Sequence, residues 1–203
     1  GNGATNNVTV SAFGQVTGTI TGGTGVETID VSGSVRSIDT GAGNDIITLR
    51  LGSNDVGDLS GGDGDDVFTI DGAVTGYLYG NAGDDLFTII QGSVTGQVDG
   101  GSQSTALGDR LFNEPDRTVI IGGGLGQNNI SITDIEGVVS TGGTLAARNG
   151  FNTTWDITGS DAGIAVERDN SNNIITTLSF TGYKNLNGSD GNDTFNVTID
   201  GLL

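Results

Sequence analysis

Two kinds of short apolar–polar alternation recur through the first half of the chain. One reads Ile47-Thr48-Leu49, then Phe68-Thr69-Ile70, then Phe87-Thr88-Ile89. The other reads Val16-Thr17-Gly18-Thr19-Ile20, then Val74-Thr75-Gly76-Tyr77-Leu78, then Val94-Thr95-Gly96-Gln97-Val98. A period of two marks a half-buried strand. Between the two kinds of strand stand glycine-rich segments that align with one another: Gly22–Ile29, Thr40–Ile47, Gly61–Phe68 and Gly80–Phe87. The last acid of each aligned segment (Glu27, Asp45, Asp66, Asp85) follows the one before at steps of 18, 21 and 19 residues. A unit of about 20 residues is therefore strand, turn, strand, turn, and one such unit cannot bury its own apolar face unless neighbours stack on it.

The pattern predicts an all-β chain built as a right-handed parallel β-solenoid, β-roll or β-helix like, with about 20 residues per coil. In that arrangement Ile29, Ile47, Phe68, Phe87 and Leu111 form one inward column, facing a second made of Ile20, Ile38, Leu59, Leu78 and Val98. An antiparallel sandwich with glycine-rich hairpins is the competing architecture, but hairpins do not require a fixed step with an acid at the same place. A looser fifth copy of the turn lies at Gly108–Phe112, after an insertion around Ser102–Thr105, and a sixth at Gly188–Phe195. From Arg117 onward the phase is lost. Residues 1–116 are read as regular repeats and 117–203 as a less regular β-rich continuation, with strands such as Thr118–Ile121, Thr153–Ile157 and Ile174–Phe180. The final strand-like run is Phe195–Ile199, and no segment reads as a helix.

Composition narrows the function. The chain has 203 residues with 38 glycines, against a usual share of about 7%. Positive φ carries no Cβ penalty in glycine, which suits the corners of tight turns. Acid is concentrated in Asp rather than Glu, as expected of turns rather than helices. With no His and no Cys there is no imidazole or thiolate zinc site, no Ser-His-Asp relay and no cysteine nucleophile. A net charge of −18 repels phosphate backbones, so nucleic acid is not an expected partner. No apolar run reaches the roughly 18 residues of a membrane span.

The turn units resemble the haemolysin-type (RTX) calcium-binding nonapeptide G-G-x-G-x-D-x-U-x, and Gly61–Thr69 matches every fixed position. The stretch Trp155–Gly159, with Phe180–Gly188 and Gly191–Phe195, resembles a module of very large repetitive bacterial surface adhesins. The first resemblance implies Ca2+ bound in the turns, with Asp45, Asp66 and Asp85 at the motif's aspartate position. Asp63, Asp65 and Asp84 would add carboxylates, and Asp190, Asn192 and Asp193 would form a further turn site. Calcium takes six to eight oxygens, which suits stacked acidic turns. The opposite turns, Ile70–Ala73 and Gln91–Ser93, lack the motif, so ions would line one edge only. Without a cation the stacked acids would repel by roughly 3 kcal/mol per pair at an effective dielectric near 20.

These readings lead to an extracellular or cell-surface structural module, an adhesin stalk or matrix filament subunit, with no catalytic role. Its expected partners are copies of itself, stacked head to tail or side by side, and surface glycans. A carbohydrate-binding or RTX-type module attached to a secreted enzyme is the alternative, and a β-helix polysaccharide enzyme is the third. Acid-rich, lysine-poor composition also fits a saline habitat. Trp155 is read as a core or interface anchor, while Tyr77 and Tyr79, on either side of Leu78, should face outward.

Overall fold

The structure is a computed structural model that describes residues 3–114, 117–122 and 129–198. The turn residues Gly123 and Gly124 and the strand end Ile199 lie outside that set. The described residues form strands and turns with no helix.

Through its first half the chain passes back and forth between two large sheets. The regular part carries β1 (Asn6–Val10), β2 (Gln15–Gly23), β3 (Glu27–Val31), β4 (Ser34–Ala42), β5 (Ile46–Leu49) and β6 (Asp58–Asp63). It continues with β7 (Val67–Ile70), β8 (Ala73–Val74), β9 (Leu78–Ala82), β10 (Leu86–Ile89), β11 (Ser93–Val94), β12 (Gln97–Ser102) and β13 (Arg110–Asn113). After it come β14 (Thr118–Ile121), β15 (Asn129–Thr133), β16 (Gly137–Ser140), β17 (Thr144–Ala146) and β18 (Asn152–Gly159). The last four strands are β19 (Ala162–Arg168), β20 (Ile174–Thr181), β21 (Asn185–Asn187) and β22 (Thr194–Val197).

The first sheet runs β1-β3-β5-β7-β10-β13-β16-β20-β19-β18-β22, and the second runs β2-β4-β6-β9-β12-β15-β14-β17-β21. Every pairing in the second sheet is parallel. The first sheet is parallel up to β20, turns antiparallel at β20–β19 and β19–β18, and ends parallel with β22 on β18. The expected strands Val74–Leu78 and Val94–Val98 each divide in two, because the outward turn of the backbone at Thr75–Tyr77 and Thr95–Gly96 interrupts them. β8 and β11 pair with each other as a narrow third sheet, and Val74 of β8 also bridges Val56 in parallel.

Register places like on like. In the first sheet Val8, Ile29, Ile47, Phe68, Phe87, Leu111, Val138 and Phe180 are successive Cα partners. From Ile29 to Phe180 all are buried, and the Phe68 and Phe87 rings stack at 4.8 Å between centroids. In the second sheet Ile20, Ile38, Leu59, Leu78, Val98 and Ile132 are successive partners, buried from Ile38 onward. Burying each such side chain is worth about 1.5–3 kcal/mol, so these columns are the main favourable term in the fold. Trp155 is fully buried, with its ring parallel to that of Phe195 and edge-on to that of Phe180.

Candidate functional site

The aligned turns end in acids immediately before the strands of the first sheet, and register brings those acids into one file. Each spends one oxygen on the pass before it. The backbone N–H of Glu27 donates to Asp45 Oδ1 at 2.7 Å, that of Asp45 to Asp66 Oδ1 at 2.7 Å, and that of Asp66 to Asp85 Oδ1 at 2.8 Å. The file continues through the looser fifth turn and past it: Asp85 N–H donates to Asp109 Oδ1 at 2.6 Å, and Asp109 N–H to Glu136 Oε2 at 2.7 Å. Glu27, Asp45, Asp66, Asp85 and Asp109 are all buried. The side chains thus point into the turn and act as rungs between passes.

The second oxygens explain a set of glycines. Oδ2 of Asp45, Asp66, Asp85 and Asp109 is buried and has no hydrogen-bond partner among the described residues. A Cβ at Gly61 would stand 2.0 Å from Asp66 Oδ2, and one at Gly80 would stand 2.1 Å from Asp85 Oδ2. These glycines leave just enough room for a carboxyl group. Burial pushes the Asp66 carboxyl up to about 7, against the opposing bond from Asp45 N–H, and the charges of Asp45 and Asp65 push the same way as burial. Burial likewise pushes Asp85 up to about 8 and Asp109 to about 6, with neighbouring carboxylates adding to the rise. Asp45 is raised as well, chiefly by burial. A proton on Oδ2 removes both the desolvation cost and the mutual repulsion of the file.

Outside this inner file lies a second, exposed one. Asn44 Oδ1 accepts from Asp65 N–H at 3.1 Å, and Asp65 Oδ1 accepts from Asp84 N–H at 2.9 Å. Asp84 accepts the N–H groups of Ser104 and Thr105 at 2.7 and 2.8 Å, together with both of their hydroxyls. Those bonds hold the Asp84 carboxyl below the usual carboxylate range, the Thr105 hydroxyl first among them. Asp63 is exposed on the same edge.

At the far end of the first sheet the Gly188 turn repeats the device on a different pass. Thr153 N–H donates to Asp193 Oδ1 at 2.9 Å, and Gly150 N–H donates to Asp190 Oδ1 at 2.7 Å. Asn192 lies exposed there, its own N–H donating to Asn152 Oδ1 at 2.9 Å. Asp45, Asp66 and Asp85 therefore share one inner line, Asp65 and Asp84 share the outer one, and Asp190, Asn192 and Asp193 form a separate turn.

The fit of this arrangement to calcium follows from its oxygens. A calcium ion takes six to eight of them converging on one point. Here the acids form lines, and among the described residues no three or more of them are grouped so that they could hold a metal ion. The turn carbonyls are also engaged from pass to pass: Gly43 N–H donates to the Asp63 carbonyl at 2.7 Å, Gly64 N–H to that of Ala82 at 2.6 Å, and Gly83 N–H to that of Ser102 at 2.9 Å. These turn amides and carbonyls are therefore bonded to one another, and Oδ2 of Asp45, Asp66, Asp85 and Asp109 remains the polar atom of the turns without a partner among the described residues.

Sequence reasoning missed Glu136 and Glu167 as rungs. Glu167 is fully buried, accepts Arg148 N–H at 2.9 Å and pairs with the Arg148 guanidinium at 3.4 Å. Neither Glu follows a glycine-rich turn, and the usable signal was a lone Glu directly before Gly137-Val138-Val139 in one case and at the end of an alternating run in the other. Among the described residues no helix is long and apolar enough to cross a membrane. No family model, curated protein or solved structure matches the chain.

Proposed function

We propose that this chain is an extracellular structural repeat module, a segment of an adhesin stalk or matrix filament, whose passes are the coils of a right-handed parallel β-solenoid. The observation that carries this reading is the spending of the polar groups. The inner acids, the turn amides and the turn carbonyls bond from one pass to the next, along the direction in which the strands stack. Chemistry arranged this way stiffens a rod, and the proposal assigns it no catalytic step.

The strand edges support assembly. Among the described residues β1 and β2 each have one neighbour, as do β21 and β22. On β22, Phe195 and Val197 stand 45% and 60% exposed, although their register partners Trp155 and Ile157 are covered. Parallel edges that carry apolar side chains, and beside which the described residues place no further strand, favour end-to-end addition of a second copy, a contact that need not close. Sedimentation and electron microscopy across a concentration series test this: concentration-dependent rods support it, and monomers at every concentration refute the head-to-tail part. Calcium, which the resemblance implies, is a separate proposal. A melting temperature raised more by calcium than by magnesium supports it, and equal effects remove it while leaving the rod.

A further inference from the structure

We propose that the Asn149–Gly150 step is a site of spontaneous covalent modification, at which Asn149 loses ammonia with the Asp190 carboxylate as base. The chain holds three Asn-Gly steps, at Asn2, Asn149 and Asn187, and Asn2 lies outside the described residues. Glycine has no side chain to hinder its own nitrogen, so each such step is chemically prone to cyclise onto the asparagine. The surroundings decide which of the two described steps does so.

Asn149 and Gly150 are the central residues of an exposed turn between β17 and β18, closed by Phe151 N–H on the Arg148 carbonyl at 3.4 Å. The flanks of this turn are fixed. Arg148 N–H donates to the buried Glu167, and the Arg148 guanidinium lies 3.6 Å from the centre of the Phe151 ring. The tip is open: Gly150 has φ +82°, and a Cβ there would meet nothing within 4 Å. Gly150 N–H donates to Asp190 Oδ1 at 2.7 Å. A carboxylate therefore touches the proton that the attacking nitrogen must give up, at the reach of a general base. Asn187 is placed differently. It lies within β21, its carbonyl accepts Ala147 N–H at 2.8 Å, and a Cβ at Gly188 would stand 2.6 Å from Asp193 Oδ2.

As Asp190 takes the amide proton, Gly150 N bonds to Asn149 Cγ and the bond from Cγ to Nδ2 breaks. Nδ2 leaves as ammonia with that proton, and a cyclic imide remains. Water then opens the ring at one of its two carbonyls. One opening leaves aspartate at position 149; the other leaves isoaspartate, which lengthens the backbone by a methylene. The imide nitrogen carries no hydrogen, so its bond to Asp190 is lost, and either product adds a negative charge beside that carboxylate. The inference needs only this turn and is independent of end-to-end assembly and of calcium.

Peptide mass mapping of the whole chain through a time course at neutral pH tests it, with isoaspartyl methyltransferase labelling to count isoaspartate. In the folded chain Asn149 should convert about tenfold faster than Asn187, and in guanidinium the two rates should converge. Asp190→Asn should slow conversion at Asn149 by about tenfold, less than a general base supplies in full because hydroxide can take its place. Asp190→Glu, which keeps a carboxylate, should convert faster than Asp190→Asn. Equal rates at Asn149 and Asn187 in the folded chain, or conversion in Asp190→Asn at the parent rate or above it, would overturn the proposal.

Discussion

The passes from β3 to β13 and the passes after Arg117 solve the same problem with different parts. In the first group the rung is a short Asp at almost every step, and a further inward column of the first sheet is apolar from Val31 through Leu49 and Ile70 to Ile89. Beyond Ile89 that column becomes Asn113 and Ser140, joined at 3.3 Å, with the Tyr183 hydroxyl donating to Asn113 Oδ1 at 2.6 Å. The rung passes to Glu136, whose longer side chain spans a step of 27 residues, where the first rung spans 18. Strict repetition is therefore not what the architecture requires. It requires an acid just before the strand, close enough to reach the amide of the previous pass.

The largest expected effect lies at glycines packed on a neighbour's backbone, which both regions contain beside glycines in open space. Gly62 has φ +110°, and a Cβ there would stand 1.7 Å from the Gly41 carbonyl oxygen, whereas Gly159 has nothing within 4 Å. Gly62→Val should cost about 3 kcal/mol or more, or prevent folding, while Gly159→Ala should stay within ~0.5 kcal/mol, both read by chemical denaturation. The rungs come next. Asp66→Leu leaves the Asp45 amide without its acceptor and should cost about 2–3 kcal/mol, more than Asp193→Leu at the half-exposed turn. Asp66→Asn keeps an oxygen for that amide and should be milder than Asp66→Leu.

Acidity separates the regions more gently. The Asp66, Asp85 and Asp109 carboxyls lie at about 7, about 8 and about 6, above the 3.8 of a free carboxyl. The folded chain therefore holds protons that the unfolded chain has released. This stabilising contribution is complete at the acid end and is lost as pH rises from about 4 to about 8. The melting temperature should fall across that window, and Asp66→Asn should flatten the slope. The smallest effect is expected from Arg50→Ala. It breaks an exposed ion pair with Asp30 and should leave the denaturation midpoint almost where it is in the parent.

Much of the regular half was legible because one physical rule generates it. Alternation fixed which residues of Phe68–Ile70 and Phe87–Ile89 face inward, and the glycine–acid step fixed which pass lies on which. Tyr77 and Tyr79 as outward residues followed from the same alternation, whereas Trp155 as a core or interface anchor rested on its large apolar ring. What the pattern did not reveal was the direction of the acids. Asp in a turn reads as solvated or as an ion ligand, and only the stacked coordinates show Asp45, Asp66 and Asp85 turned inward onto a neighbour's amide. The antiparallel excursion through β18, β19 and β20 was equally hidden. Short alternating strands such as Ile164–Val166 carry no sign of their neighbour's direction, and pairing is decided by contacts far apart in sequence.

The central claim is that successive passes lie in register and are tied through buried carboxyl rungs. Amide hydrogen exchange tests it most directly. The N–H groups of Asp45, Asp66 and Asp85 should exchange slowly in the native protein, and in Asp66→Asn the Asp45 amide should stay slow. In Asp66→Leu that amide alone among the three should become fast while the chain stays folded. Fast exchange at all three in the native protein would contradict the account.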